Sequence, residues 1–499
     1  MTFVRSRWLF LRLVGVIYLT AFISLAVQIT GLVGEHGILP VADFLARAHD
    51  AYGAQAYRLL PTLVWWSHAD AFLLLLCWSG AVCSILLIGG LAPVVTTSLL
   101  WLLYLSLTIA GQDFLEFQWD ALLLETGLLA IVYAPLAWRS RVATDPEPPA
   151  VARWVLWMLA FKVTFLSGIT KILSRDPTWA NLTALTFHYE TQPLPAWTSW
   201  FAYQMPNQVH YASAAGMFVI ELALPWLIFA PPRVAWVRVT AAALMASLQV
   251  AIAATGNYGF FNLLTIVLYI GLLDDRTLER LRPAARLGAG ELSAQPDRAA
   301  KQLSGRIWHR VSSGVAIVIA CFSVMAFFHE IDATWKRPGL LAWTWSATAL
   351  GAVAPLRSIN GYGLFRVMTT ERPEIVIEVS ADGADWKEYG FRWKPGDVTR
   401  RPHFVEPHMP RLDWQMWFAA LDPRSAQDWL VPLIQRLLEG NEEVARLLGP
   451  NPLAAPVRCV RLAYYQYHFT TRDERAATGA WWTRQRLGNL TNAIGPCTQ

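Results

Sequence analysis

The chain has 499 residues, of which 55% are hydrophobic and only 15% charged, with a formal net charge of +5. A soluble chain of this length would normally be about one quarter charged, so an ordinary water-soluble protein is excluded. The positive balance is no nucleic-acid signal either, because much of it stands in short loops beside apolar runs, where arginine sets orientation across a bilayer.

Residues 9–33 are apolar apart from Arg12 and a few small polar residues. At about 1.5 Å per residue they are long enough to cross a hydrocarbon core of roughly 30 Å. The run is too long for a signal-peptide core and lacks a small-x-small cleavage site, which predicts a retained first helix. Further spans are expected at 71–88, 94–110, 119–135, 154–173, 214–229, 236–254, 260–273 and 308–328, giving nine crossings. Arg5 and Arg7, then Arg139, Arg141 and Arg153, then Arg233 and Arg238 flank these spans. Arg276, Arg280, Arg282, Arg286, Arg298 and Lys301 fill the loop before the last one. Nine crossings put all of these groups on one side, the cytoplasmic side. Segments 34–70, 111–118 and 174–211 and the C-terminal region then lie opposite. The short apolar stretch 340–353 reads as an interfacial or re-entrant helix.

The expected architecture is a polytopic α-helical membrane bundle with a C-terminal β-rich extracytoplasmic domain. Residues 1–330 form the multispanning helical domain, 331–358 a connector and 359–499 the soluble domain.

Polar residues inside spans are the first functional candidates. Lys162 and Lys171 stand nine positions apart in the fifth span, which places them about 180° apart on a helix. Lys171 is near enough to the end to snorkel, whereas Lys162 needs a partner or a cavity. Glu221, Asp120 and Glu125 are candidate counter-charges. Segment 174–211 is dense in aromatics and contains four prolines. It holds Asp176, His188, Glu190 and His210, without the spacing of a metal motif. It reads as a rigid lining of the bundle mouth, with proton transfer as the alternative chemistry. Asn257 to Asn262 reads as a tight polar hinge.

In the C-terminal region 374–379, 386–393 and 457–470 carry strand patterns, and 429–438 and 441–448 look helical. The sharpest polar cluster of the chain is RRPHFVEPHMPRLDWQMW, with Arg401, His403, Glu406, His408, Arg411 and Asp413. It is expected to be a fixed loop held by Arg–carboxylate pairs over buried Trp414 and Trp417. A site built from His403, Glu406 and His408 is the competing reading, but no ligand spacing supports it, and no metal or cofactor is assigned. Cys459 and Cys497 can pair if the domain is outside the cytoplasm. No CxxC redox motif, GxSxG nucleophile elbow, P-loop or dinucleotide fingerprint is present.

Six long motifs carry a resemblance. They are GQDFLEFQWDALLLETG (111–127), KILSRDPTW (171–179), LTALTFHYETQPLP (182–195), GNYGFFNLLT (256–265), INGYGLFRVMT (359–369) and EPHMPRLDWQMWFAAL (406–421). In this order they resemble the lipase maturation factor family over nearly the whole chain. The resemblance implies a polytopic protein of the endoplasmic-reticulum membrane in animals, with a large luminal C-terminal domain. Such a protein assists folding and assembly of secreted homodimeric lipases. It also implies a distant relation to the helical membrane domain of vitamin K-dependent carboxylase, and it transfers no catalytic residue. Arg-rich loops suit a bacterial inner-membrane protein with a periplasmic C-terminal domain.

The leading expectation is therefore a folding or assembly factor for a secreted client, a lipase included, with membrane lipids as its surroundings. The alternative is a membrane enzyme that modifies a lipid or protein at the outer mouth of the bundle, using Lys162, Lys171, His188, Glu190 and His210. A transporter ranks third, because no inverted repeat or midplane ion site is visible.

Overall fold

The computed structural model describes residues 1–281, 298–337, 339 and 343–498. Helix α1 (Val4–Ala26) packs along α2 (Asp70–Ile88), which leads into α3 (Pro93–Ala110) and α4 (Gln118–Tyr133). Then come α5 (Ala150–Leu173), α6 (Asn207–Leu222), α7 (Ala235–Thr255), α8 (Phe261–Ile270) and the 38-residue α9 (Arg298–Trp335), which lies against α5. The α1–α2 contact is close because two glycines face it. A Cβ at Gly15 would fall 2.9 Å from Ile88, and one at Gly80 would fall 2.4 Å from the Phe22 ring. Small residues let apolar helices approach where water supplies no driving force.

Among the described residues seven helices are long and apolar enough to cross a membrane. Two of the nine expected spans fall short of that length: α4 has 16 residues and α8 has 10. The physical reasons differ. α4 carries Asp120 and Glu125, both buried inside the protein. α8 starts only after the turn at 256–260, and its 10 residues rise about 15 Å, half of a hydrocarbon core. α6, α7 and α9 sit at the periphery and expose Val219, Leu244, Val250, Val315 and Ile317. Such a continuous apolar surface suits lipid contact.

The basic segments meet at one end of the bundle. Asp275 accepts from the Val4, Arg5 and Ser6 amides, Arg7 donates to Pro146 O, and Arg238 donates to Leu272 O. α1 rises about 35 Å over its 23 residues, and its far end meets the C-terminal domain. Of the basic loop, Arg282 and Arg286 and the side chains of Arg298 and Lys301 lie outside the described residues, as do 340–342. The stretch expected at 340–353 holds α10 (Thr344–Val353), ten residues long.

The C-terminal domain is built on an antiparallel sheet of order β2-β1-β3-β4, with β1 (Pro373–Ser380), β2 (Lys387–Tyr389), β3 (Cys459–Phe469) and β4 (Trp482–Asn489). Ile377 stands opposite Leu462, and β3 shifts register at Tyr464/Tyr465. β1 is buried from Glu374 to Ser380, which explains its unbroken EIVIEV run. Helices α11 (Arg411–Leu421) and α12 (Gln427–Leu438) complete the domain. Three local expectations are corrected, and one strand was not foreseen. Only 387–389 of 386–393 forms a strand; past Gly390 the chain leaves the sheet, makes a single bridge from Phe391 to Leu448 and bends. Only Glu442–Ala445 of the second helix forms. The stretch after Pro410 is a helix, not a loop. β4, which is almost wholly exposed, has no apolar alternation to announce it. Cys459 and Cys497 are joined in a disulfide with Cα atoms 5.9 Å apart.

Candidate functional site

The C-terminal domain is seated on the end of the bundle opposite the basic segments, and the candidate residues divide between that joint and a cavity beneath it. Pro410 precedes α11, so Arg411 starts the helix and its side chain turns down into the bundle. Its terminal nitrogens meet both oxygens of Asp120 at 2.5 and 2.8 Å, a bidentate pair. Asp120 stands in the first turn of α4, where the helix dipole favours a carboxylate, and also accepts from the Tyr104 hydroxyl. The Arg411 amide donates to Gln28 at the end of α1. Beside it, the Ser24 hydroxyl lies 2.9 Å from His408 Nδ1 and accepts from the Met409 amide.

Glu406 accepts from the Tyr258 amide, and burial pushes its carboxyl up to about 7 against that bond and the Asn262 side chain. Asn257 donates to Leu194 O and His403 O and accepts from the Val405 amide. The expected hinge at 257–262 is thus a latch for residues 403–406. Asp413 accepts from the Trp393 and Lys394 amides, and its burial raises it to about 6. His408 is lowered to about 4 by burial, then by Arg411 and Arg392. Arg401 lies over the Trp197 ring and His403 stands edge-on to Trp393. The expected Arg–carboxylate pairs within 401–413 do not form. Arg411 takes its carboxylate from α4, while Glu406 and Asp413 are satisfied by backbone amides. Trp414 and Trp417 are buried, and the Trp417 indole donates to Thr191 O at 2.8 Å.

Segment 174–211 folds into short helices that grip the sheet domain. Asp176 caps one of them through the Thr178 and Trp179 amides and also accepts from the Met368 amide. Burial pushes its carboxyl up, but the Thr178 hydroxyl and then these amides hold it below its ordinary value. Glu190 accepts from the Phe469 amide and approaches His468 at 3.4 Å. Arg372, fully buried, donates to the carbonyls of Glu190, Gln192 and Pro193 and pairs with Glu374 at 2.8 Å. Lys394 meets the other oxygen of Glu374 at 2.7 Å. Sequence reasoning missed Arg372, Gln192 and Lys394. An arginine next to a strand start carries no local signal, and its partners are backbone carbonyls about 180 residues away.

The two lysines of α5 diverge as their spacing requires. Lys162 meets Glu125 of α4 at 2.5 Å and Ser323 of α9, and Glu125 also accepts from the Tyr362 hydroxyl. Lys171 meets Glu221 of α6 and the Ser167 carbonyl, both at 2.9 Å. Near Lys171, His188 contacts the Tyr258 hydroxyl at 3.1 Å, and that hydroxyl donates to Gln192. Burial, then Lys171, lowers His188 to about 4, so it is neutral. His210 is buried beside the Tyr189 ring. Lys171, His188, Glu221 and Tyr258 border one cavity of about 240 Å³. Lys162, Glu190 and the 401–413 residues do not line it. Among the described residues no group of three or more His, Cys, Asp and Glu side chains is gathered for a metal ion.

Residues 5–280 match a family model described as the lipase maturation factor transmembrane domain, and residues 358–492 match one for the lipase maturation factor C-terminal domain. The chain is 35% identical to lipase maturation factor 2 of Mus musculus, over 96% of this chain and 81% of that protein. It is 34% identical to the Homo sapiens protein of the same name, with the same coverage. With lipase maturation factor 1 of Bos taurus the identity is 33%, over 98% of this chain and 88% of the relative. No solved structure matches.

Proposed function

The chain belongs to the lipase maturation factor family, and on that premise we propose that it is a multi-pass membrane protein that assists folding or assembly of secreted client proteins, lipases first among them. The observation that carries this reading is the seating of the C-terminal domain on one mouth of the bundle. Arg411, Glu406, Trp417 and Arg372 fasten it there through three separate segments of the membrane domain, at Asp120, Tyr258 and 190–191. A domain fastened in this way offers a client a fixed surface held at the membrane.

The cytoplasm lies at the end where the N-terminus, the 139–153 loop and Asp275 gather, in keeping with the placement of arginines beside spans. The C-terminal domain is then extracytoplasmic, which suits its disulfide. In a bacterium that compartment is the periplasm, and in a eukaryotic host the lumen of the endoplasmic reticulum.

The test is the specific activity of the host's secreted lipases, normalised to lipase protein, after deletion and re-expression of the gene. Activity per molecule falls on deletion and returns with the intact chain. Unchanged activity per molecule would remove lipases from the client list.

A further inference from the structure

The cavity below the joint lies between α5, α6 and α7, under His188, Tyr189 and Phe365. Its 240 Å³ is many times the roughly 10–15 Å³ that a single water needs on the same measure. Most of its wall is hydrocarbon, including Val163, Met217, Leu248, Ile252, Phe261 and Leu364. Cavities of that kind do not retain water and take up apolar molecules instead. The wall also holds one charge pair. The Lys171–Glu221 pair, with Ser167 and Gln249, gives a space of hydrocarbon body a charged polar pole.

Its rim locates the entrance. Ser213 on α6 and Ala251 on α7 both line the cavity and are exposed. The outward faces of the same helices carry exposed Val219, Leu244 and Val250. An occupant therefore reaches the cavity sideways, from the bilayer.

The charge at the pole selects the head group. Lys171 and Glu221 carry the formal charges among the lining residues, and they cancel. A phosphate or carboxylate head would lose its water without meeting an unbalanced cation. An uncharged head with ester and hydroxyl oxygens meets what is there. The ammonium has three N–H groups, of which Glu221 Oε2 and Ser167 O take two. The third can donate to an ester carbonyl, and the second oxygen of Glu221 can accept from a hydroxyl. We propose that this cavity is a binding site for an uncharged single-chain glycerolipid of the monoacylglycerol class, admitted from the bilayer between α6 and α7.

The proposal is independent of who the client is. Its test is photo-crosslinking of the full chain in detergent with a monoacylglycerol that carries a diazirine in its tail and an alkyne tag. Adducts are expected on the inner faces of α6 and α7. Unlabelled monoacylglycerol competes, whereas a free fatty acid and a lysophosphatidylglycerol of equal chain length compete at least tenfold more weakly. Ser213→Trp combined with Ala251→Trp narrows the rim at exposed positions and lowers labelling tenfold or more. Val219→Trp, on the outward face of α6, leaves labelling intact. Glu221→Gln removes the balancing charge and turns the preference toward the fatty acid. Labelling indifferent to the rim tryptophans, labelling lost equally in Val219→Trp, or equal competition by the charged lipids overturns the proposal.

Discussion

Two buried cation–carboxylate pairs stand toward the mouth of the bundle, and their surroundings are opposite. Arg411 and Asp120 are packed at the joint, with Tyr104, Gln28 and the Phe114 carbonyl close around them. Lys171 and Glu221 border a hollow. Ion-pair chemistry is common to both, so a buried pair does not by itself mark a binding site. What separates them is whether the pair is enclosed by protein or borders empty space. By that criterion Lys162, enclosed with Glu125, Ser323 and the Tyr362 ring, belongs with the joint.

The sharpest way to break this distinction is to remove one cation from each pair. Arg411→Met leaves Asp120 buried without a counter-charge, which costs about 3–5 kcal/mol for such pairs. The domain should come loose from the bundle, seen as rapid proteolysis between α10 and β1 and a marked fall in thermal stability. Lys171→Met should cost less, about 1–3 kcal/mol, because water or lipid can enter beside Glu221. Equal losses in the two variants would mean that the hollow does not distinguish the pairs.

The disulfide tests how far the joint depends on the domain's far edge. Cys459 begins β3 and Cys497 reaches the turn at Gly383, away from Arg411. Closing a loop with a sequence separation of 38 is worth about 2–4 kcal/mol. Cys459→Ser with Cys497→Ser should therefore expose the tail and β4 to protease while the 403–411 segment stays protected. Simultaneous cleavage of both regions would show that the domain and its joint unfold as one unit.

Much of this arrangement was legible in the chain, and the boundary has a physical cause. Hydropathy and arginine placement gave the long helices and gathered the basic loops, because both follow from local composition. The 180° divergence of Lys162 and Lys171 gave two separate partners, Glu125 and Glu221, since helical geometry fixes direction. The polar density of 401–413 pointed to a fixed segment. It did not reveal that Asn257, Tyr258 and Gln28 hold it, because those contacts cross 148 to 383 positions of chain. The cavity was equally hidden. Its walls read as ordinary apolar helix faces, and only the packing of α5, α6 and α7 leaves the space between them.

The smallest effect is expected from pH, and it sharpens the comparison at one residue. Glu406 is raised to about 7 in the folded protein from its ordinary 4.5. Between those values the folded state holds a proton that the unfolded chain has lost. Stability from this group is therefore present at low pH and is lost as pH rises toward 7. His408, lowered to about 4 from 6.5, acts in the opposite direction over much of the same window, and Asp413, raised to about 6, acts with Glu406. The pH profile of the intact protein therefore mixes opposing contributions. The difference between it and Glu406→Gln isolates one carboxyl, since glutamine keeps an acceptor for the Tyr258 amide and cannot ionise. The stability of the intact protein relative to that variant should fall as pH rises from 5 to 7.5 and level off above. A difference independent of pH would mean that Glu406 ionises in the joint as readily as in water, and that this side of the joint admits solvent.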